Sequence, residues 1–277
     1  MTCSVKIVAD SIIASGSRLT TFELRYWRAI HAEVMTHRVF SRNASSSRAI
    51  PVKTMLSQVW NDPAGPIHWG ANQPGMQANG ELVGRNKRVA KGLWKLGGRL
   101  MCCVAWALMK VGSHKQVANR LLEPWQYINV VLSSTEFENW TELRNHKDAQ
   151  PEIQELAQKM ALAMSWSTPK FLNVTEWHLP YISDDEGAFF DVSTLVKLST
   201  ARCARVSYLT HGDTKVDIAK DISLYGRLVA SKPWHASPLE HQATPADPDD
   251  QEDYSGNFHS SWVQYRKLFE NDISTGM

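Results

Sequence analysis

His37-Arg38-Val39-Phe40-Ser41-Arg42-Asn43-Ala44-Ser45-Ser46-Ser47-Arg48 packs three guanidinium groups, an imidazole, an amide and four hydroxyls into twelve residues. Each charge would need a partner if buried, so this stretch is predicted to be a polar loop. Arginine forks bind phosphate through paired N–H donors, and hydroxyls fill in behind them. The predicted ligand is therefore an anion. A solvated loop would have the same composition, so the rest of the chain has to supply the support.

Upstream, residues 4–13 alternate and are rich in β-branched side chains, which predicts a strand. Thr20 and Glu23 have capping-box spacing, and Phe22, Tyr26, Ile30 and Val34 repeat every four residues. That predicts an amphipathic helix over 21–36 that delivers the chain into the polar stretch. Downstream, Gly, Pro and Asn crowd 61–86, which reads as a flexible insertion. Val89, Leu93, Leu96, Leu100, Val104, Leu108 and Val111 then repeat at helical spacing, and 87–111 is predicted to be the core spine. Ser113 and Gln116 suggest a capped helix ending before Pro124, and another helix is expected over 133–144. Pro151 opens a helix through 166 at the first-turn position it prefers. Strand or helix is expected over 191–208, and a helix near 214–231. The acidic run 247–253, within a loop of 245–256, reads as solvated. No break in composition separates two units. The predicted fold is α+β, one compact catalytic domain over 1–277 with a central, mostly antiparallel sheet and long core helices.

At 277 residues, 43% apolar and 21% charged, the chain has the make-up of a soluble protein with one sizeable core. A formal charge of +2 gives no global field for nucleic acid or membrane, so anion binding must come from local clusters. Most of the eleven tryptophans are expected in the core. The four cysteines, Cys3, Cys102, Cys103 and Cys203, form no C-x-x-C pair, so reduced thiols and no metal site are expected. Without a signal-type h-region or a long apolar run, the expected location is cytoplasmic (host cytoplasm if viral).

His37, Arg38, Ser41, Asn43, Ser46 and Arg48 fall in register with Arg-His-Arg-x-x-Ser-x-Asn-x-x-Ser-x-Arg, and in this the chain resembles the flavin-dependent thymidylate synthases. Three further blocks are similar to elements of that family: Arg120-Leu121-Leu122-Glu123-Pro124; Leu143-Arg144 with Ala149-Gln150-Pro151-Glu152-Ile153; and Ala204–Tyr208 with His235–His241. The last block precedes the others in short members. The order here looks circularly permuted, as in a longer phage-type branch that also carries Gly256-Asn257-Phe258 and Gln264-Tyr265-Arg266-Lys267. The resemblance covers roughly residues 20–265.

The resemblance implies transfer of a one-carbon unit from methylenetetrahydrofolate to C5 of dUMP, with reduction through FAD and NADPH, in a homotetramer. It implies Ser45, Ser46, Ser47, Arg48 and Arg120 on the nucleotide, with Ser46 and Arg144 catalytic and Arg144 polarising the base. It implies His37, Arg38, Ser41, Asn43, Asn139 and His241 on FAD. Thr36 stands in place of the leading arginine, Ala44 of a glutamate, Ala49 of a tyrosine and Ser133 of an asparagine. Gln264 and Arg266 are candidates to supply the missing amide and guanidinium. Glu33 stands where short members carry glutamine, and such a swap suits dCMP as acceptor, giving a methyl or hydroxymethyl product. Cys102 and Cys103 lie in an apolar run where burial raises a thiol pKa, so neither reads as a nucleophile. Two rivals from other classes stay open: an oligonucleotide binder using Arg38, Arg42, Arg48 and stacked tryptophans, and an inactive relative. Near-zero net charge and the acidic run weigh against the first.

Overall fold

Alternation, rather than helical spacing, governs the start of the chain. The computed structural model describes residues 3–208, 217–247 and 252–275. Strands β1 (Ser4–Ile12) and β2 (Arg18–Trp27) form an antiparallel hairpin. Of the helix predicted over 21–36, residues 21–27 are therefore strand, Arg28–Ile30 form a 3-10 turn, and the end forms the short helix α1 (His31–Met35). Phe22 and Tyr26, four apart, fit either period. Leu24 between them and the β-branched pair Thr20-Thr21 tip the balance to a strand. Thr20 caps nothing; its hydroxyl donates to Asp10 Oδ1 across the hairpin at 2.9 Å.

The remaining elements are β3 (Ser41–Ala44), α2 (Val52–Asn61), α3 (Gly84–Lys110), α4 (Lys115–Ala118), β4 (Tyr127–Ser134), α5 (Glu138–Arg144), α6 (Pro151–Trp166) and β5 (Lys170–Phe171). They are followed by α7 (Asp184–Phe189), α8 (Val192–Arg205), α9 (Ile218–Ala230), β6 (Ala243–Pro245), β7 (Trp262–Gln264) and α10 (Tyr265–Thr275). The main sheet runs β3-β4-β2-β1-β5, antiparallel except for the β1–β5 pair, and β6 pairs with β7 separately. This is the predicted α+β class with a mostly antiparallel sheet.

The two faces of the sheet differ. On one, Phe22, Leu24 and Tyr26 of β2 and Val130 and Leu132 of β4 pack on Trp140 of α5 and on Ile153, Leu156 and Met160 of α6. Pro151 occupies the first turn of α6 as predicted. The other face, covered by α8 and the C-terminal elements, carries Ser11, Thr21, Ser41, Asn43 and Ser133, all buried.

Several local expectations change. α3 is a helix but no core spine: of its residues only Gly98, Cys102 and Ala105 are buried. The segment after Ser113 is capped by His114, whose Nδ1 accepts from Gln116 N, and it continues as a 3-10 turn (Asn119–Trp125) through Pro124. Residues 127–134 are strand, and helix begins only at Glu138. The Gly/Pro-rich insertion folds into a pinned turn: Gly70 bridges to Glu81, and His68 Nε2 meets Ala78 O at 2.9 Å. Residues 209–216, where the helix near 214–231 was expected to begin, and 248–251 of the acidic run lie outside the described residues. Among the described residues no helix is long and apolar enough to cross a membrane.

Candidate functional site

Half of the stretch 37–48 is buried and only Ser41–Ala44 is strand, so the polar-loop expectation holds at its two ends and fails at its centre. Its centre is β3, and strand alternation turns Ser41 and Asn43 inward, with Ser45 and Ser47 buried beyond the strand. Each has a protein partner. Ser41 Oγ accepts from Gln264 Nε2 at 3.2 Å, and Asn43 Nδ2 donates to Cys203 O at 2.7 Å. Ser207 and Ser237 hydroxyls donate to Asn43 Oδ1 at 3.5 and 3.2 Å, Ser45 Oγ accepts from Asn129 N, and Ser47 donates to Glu123 Oε1. Arg42 donates to the carbonyls of Val34, Met35 and His37, closing the end of α1. The polar residues thus weld β3 to elements far along the chain. Residues of the 204–208 and 235–241 blocks, and Gln264, all meet β3, whereas Arg266 pairs with Glu240 and Glu270 instead.

Beyond each end of β3 sits a cationic cluster. At the start, Arg144 at the end of α5 donates Nε to His37 Nε2 (3.1 Å), Nη1 to Glu33 Oε2 (2.7 Å) and Nη2 to Thr36 Oγ1 (3.3 Å). His37 is buried against Phe40 and edge-on to Trp140, with ring centroids 4.9 Å apart in the latter pair. Burial, then the Arg144 and Arg42 charges, hold its pKa below the usual imidazole value. His37 is thus neutral, with Nε2 the acceptor and the proton on Nδ1. The neighbours of this pair, Arg38 and Asn139, are exposed and make no side-chain hydrogen bond among the described residues.

After the far end, Arg48 and Arg120 share a cleft of about 540 Å³ with Leu108, Gln116, Val117 and Leu121. Ser46 Oγ accepts from Arg48 N at 3.3 Å, and the Arg48 side chain is exposed. Arg120 is half in solvent and tied to Glu123 at 3.0 Å. The same Glu123 oxygen also takes Ser47 and Arg28, so it fixes the cleft wall. Among the described residues Arg48 has no ion-pair partner, and the cleft suits an anionic group.

His241 faces neither cluster. It is fully buried on the polar face of the sheet, where Nδ1 meets Ser133 Oγ at 2.8 Å. Ser133 meets Thr21 Oγ1 at 2.6 Å, Thr21 meets His178 Nε2 at 2.7 Å, and His178 Nδ1 meets Ser11 Oγ at 2.9 Å. Burial pushes both imidazoles down to about 3, so both are neutral. His241 Nε2 has no hydrogen-bond partner among the described residues. Sequence reading missed Ser11, Thr21 and His178. The detectable signal was hydroxyls at one strand face, Thr21 and Ser133, opposite one another in register.

No protein-family profile matches the sequence, and no curated protein matches it. Solved structures do resemble it. One is the UMP/dUMP methylase PolB from Streptomyces cacaoi bound with 5-Br dUMP: 14% identity, TM-score 0.45, covering 59% of this chain and 90% of that one. Another is the flavin-dependent thymidylate synthase ThyX from Helicobacter pylori complexed with FAD and dUMP: 19% identity, TM-score 0.36, covering 53% and 67%.

The expected site residues thus sort into three places. Glu33, His37 and Arg144 meet, with Arg38 and Asn139 beside them in sequence. Ser46, Arg48 and Arg120 lie around the cleft, with Ser45 and Ser47 buried behind them. Ser41, Asn43 and His241 are interior. The two cationic clusters lie beyond opposite ends of β3. For FAD the fit is divided: Arg38 and Asn139 offer free donors, whereas Ser41, Asn43 and His241 are enclosed by protein. As a set, these six residues do not fit the cofactor within one chain. Of the thiols, Cys102 is buried, and burial raises its pKa; Cys103, expected to be buried, is exposed.

Proposed function

We propose that this chain is a flavin-dependent pyrimidine-nucleotide C5 transferase that acts on dUMP to give dTMP. The sequence blocks suggest the reaction class, and one observation carries the reading: Arg144, from one block, donates to His37 in another, 107 residues earlier in the chain, at 3.1 Å. In the reading, methylenetetrahydrofolate supplies the carbon, and FAD reduced by NADPH supplies the electrons. The role of this chain's residues is electrostatic and positional. Arg144, its Nε and Nη1 fixed by His37 and Glu33, has an orientation set before substrate arrives, so it can stabilise charge developing on a base carbonyl. Ser46, Arg48 and Arg120 bind the phosphate in the cleft. Because the two clusters lie at opposite ends of β3, a complete site joins one cluster of one chain to the other cluster of a second. This agrees with the expected homotetramer.

The test is a visible spectrum with a turnover assay. Flavin absorbance in purified protein and mass gain on dUMP are expected, and Arg144→Ala should keep the colour and lose turnover by about 10²–10³-fold. Colourless protein with full turnover would overturn the flavin.

The Arg144–Glu33 pair favours a second reading, dCMP as acceptor. A carboxylate beside the guanidinium accepts from the 4-amino group of cytosine and repels O4 of uracil. Competition between dUMP and dCMP separates the two, and Glu33→Gln should move the preference toward dUMP.

A further inference from the structure

The Gly/Pro-rich insertion is braced at its base and along its length. Ala64 N donates to Trp125 O at 2.8 Å, and Trp94 Nε1 of α3 donates to Ala64 O at 2.8 Å. Gly65 passes so close to the Trp94 ring that a Cβ there would come within 2.5 Å of Nε1, so a side chain would displace the indole. Further out, Ala71 N donates to Gly80 O at 2.8 Å and Leu82 N to Trp69 O at 2.7 Å, which closes the turn. Lys87 of α3 holds Glu81 at 2.5 Å.

Two groups of this braced turn reach outside it, and both land in residues 145–152, directly after Arg144. Gln77 Nε2 donates to Asp148 O, and Ile67 N donates to Glu152 Oε1 at 2.8 Å. Glu152 is buried, and its other oxygen accepts from Gln150 Nε2 at 2.9 Å. In the first turn of α6 the helix dipole favours its charge, but a buried carboxylate still depends on its donors, and one of these two belongs to the insertion. Without the two contacts, residues 145–149 would be held by bonds within their own turn and by Gln154 Nε2 on His146 O at 2.9 Å. Residues 145–148 are exposed and bury little that could fix them.

We propose that the insertion is a strap that positions Arg144: Ile67 and Gln77 hold the 145–152 turn from outside and thereby fix the end of α5, from which the guanidinium reaches His37 and Glu33. The inference rests on the role proposed above for Arg144. Gln77 and Glu152 are positioning residues that act through the arginine. A side chain gripped only at its tip moves with its backbone, whereas one held at both ends keeps a single orientation while charge develops on the base. A displacement of about 1 Å at such a group can cost about 10²-fold in rate.

Gln77 is exposed, so Gln77→Glu removes the donor without disturbing the core, and Gln77→Lys restores a donor of similar reach. Hydrogen–deuterium exchange of the full chain should show the amides of 145–149 about tenfold faster in Gln77→Glu and in Glu152→Ala, with β2 and β4 unchanged. In parallel dUMP and dCMP assays, Gln77→Glu should lose about tenfold in kcat with KM within about twofold, and Gln77→Lys should recover most of the loss. In an Arg144→Ala background the same Gln77→Glu change should alter turnover by less than about twofold, because the strap then has nothing left to position. Unchanged exchange at 145–149 overturns the strap. So does full turnover in Gln77→Glu when Arg144→Ala has lost it, or an equal loss in both backgrounds. If Arg144→Ala itself turns over normally, the catalytic reading fails and the positioning role falls with it. Exchange needs neither flavin nor nucleotide, so the two failures are told apart.

Discussion

Phe22 and Thr21 are neighbours on β2 but point to opposite faces of the sheet, and their surroundings have little in common. Phe22 enters a close-packed apolar layer, edge-on to Phe137 at 5.6 Å. Thr21 enters a layer of hydroxyls, imidazoles and amides in which nearly every group has a named partner. The apolar side gains stability by removing hydrocarbon from water. The polar side gains little net stability per hydrogen bond, but leaving any one of its groups unpaired is costly. One face holds the fold together, and the other fixes which C-terminal elements sit on it and where.

The contrast can be broken in order of effect. Phe22→Ala should lower unfolding free energy by ~3–5 kcal/mol through the cavity it opens, read from urea denaturation. Thr21→Val, nearly the same shape, should cost ~1–3 kcal/mol by leaving His178 Nε2 unpaired and removing one of the two hydrogen bonds of Ser133. If it costs nothing, the hydroxyl chain is not a constraint. Acid sharpens the contrast further. An unfolded histidine protonates near ~6.5, whereas His178 and His241 stay neutral in the fold down to about 3. Between those values the unfolded chain binds more protons, so stability is full above the upper value and falls as the pH drops. The slope is up to ~1.4 kcal/mol per pH unit for each imidazole. Replacing His178 by Gln should flatten that slope. At the sheet's exposed rim, Asp62→Asn removes the 2.8 Å partner of Arg25 and should cost under ~1 kcal/mol.

The apolar face was the more legible in sequence. The alternation of β1 and Pro151 at the start of α6 both predicted what formed. β2 failed because Phe22 and Tyr26 satisfy two periods at once. α3 failed differently: its spacing announced a helix correctly, but spacing alone does not say whether the apolar side meets its own core or another surface. The polar face was read as loop because polar side chains suggest solvent, and only long-range partners such as Cys203 O and Gln264 show otherwise. For the site, resemblance supplied the residue names. It could not show that Arg144 rests on Glu33 and His37, or that Arg48 and Arg120 share a separate cleft, because both are products of tertiary closure.

The run from Ser11 through His178, Thr21 and Ser133 to His241 contains two neutral rings and three hydroxyls in series. With both rings uncharged, every link is kept only if all the hydrogens along it lie the same way round. Two such arrangements exist. In one, His241 Nε2 ends as a bare lone pair, and in the other as an N–H. The tautomer at residue 241 is therefore dictated by which way the serine at residue 11 turns its hydrogen, on the far side of β2, and neither end can reverse alone.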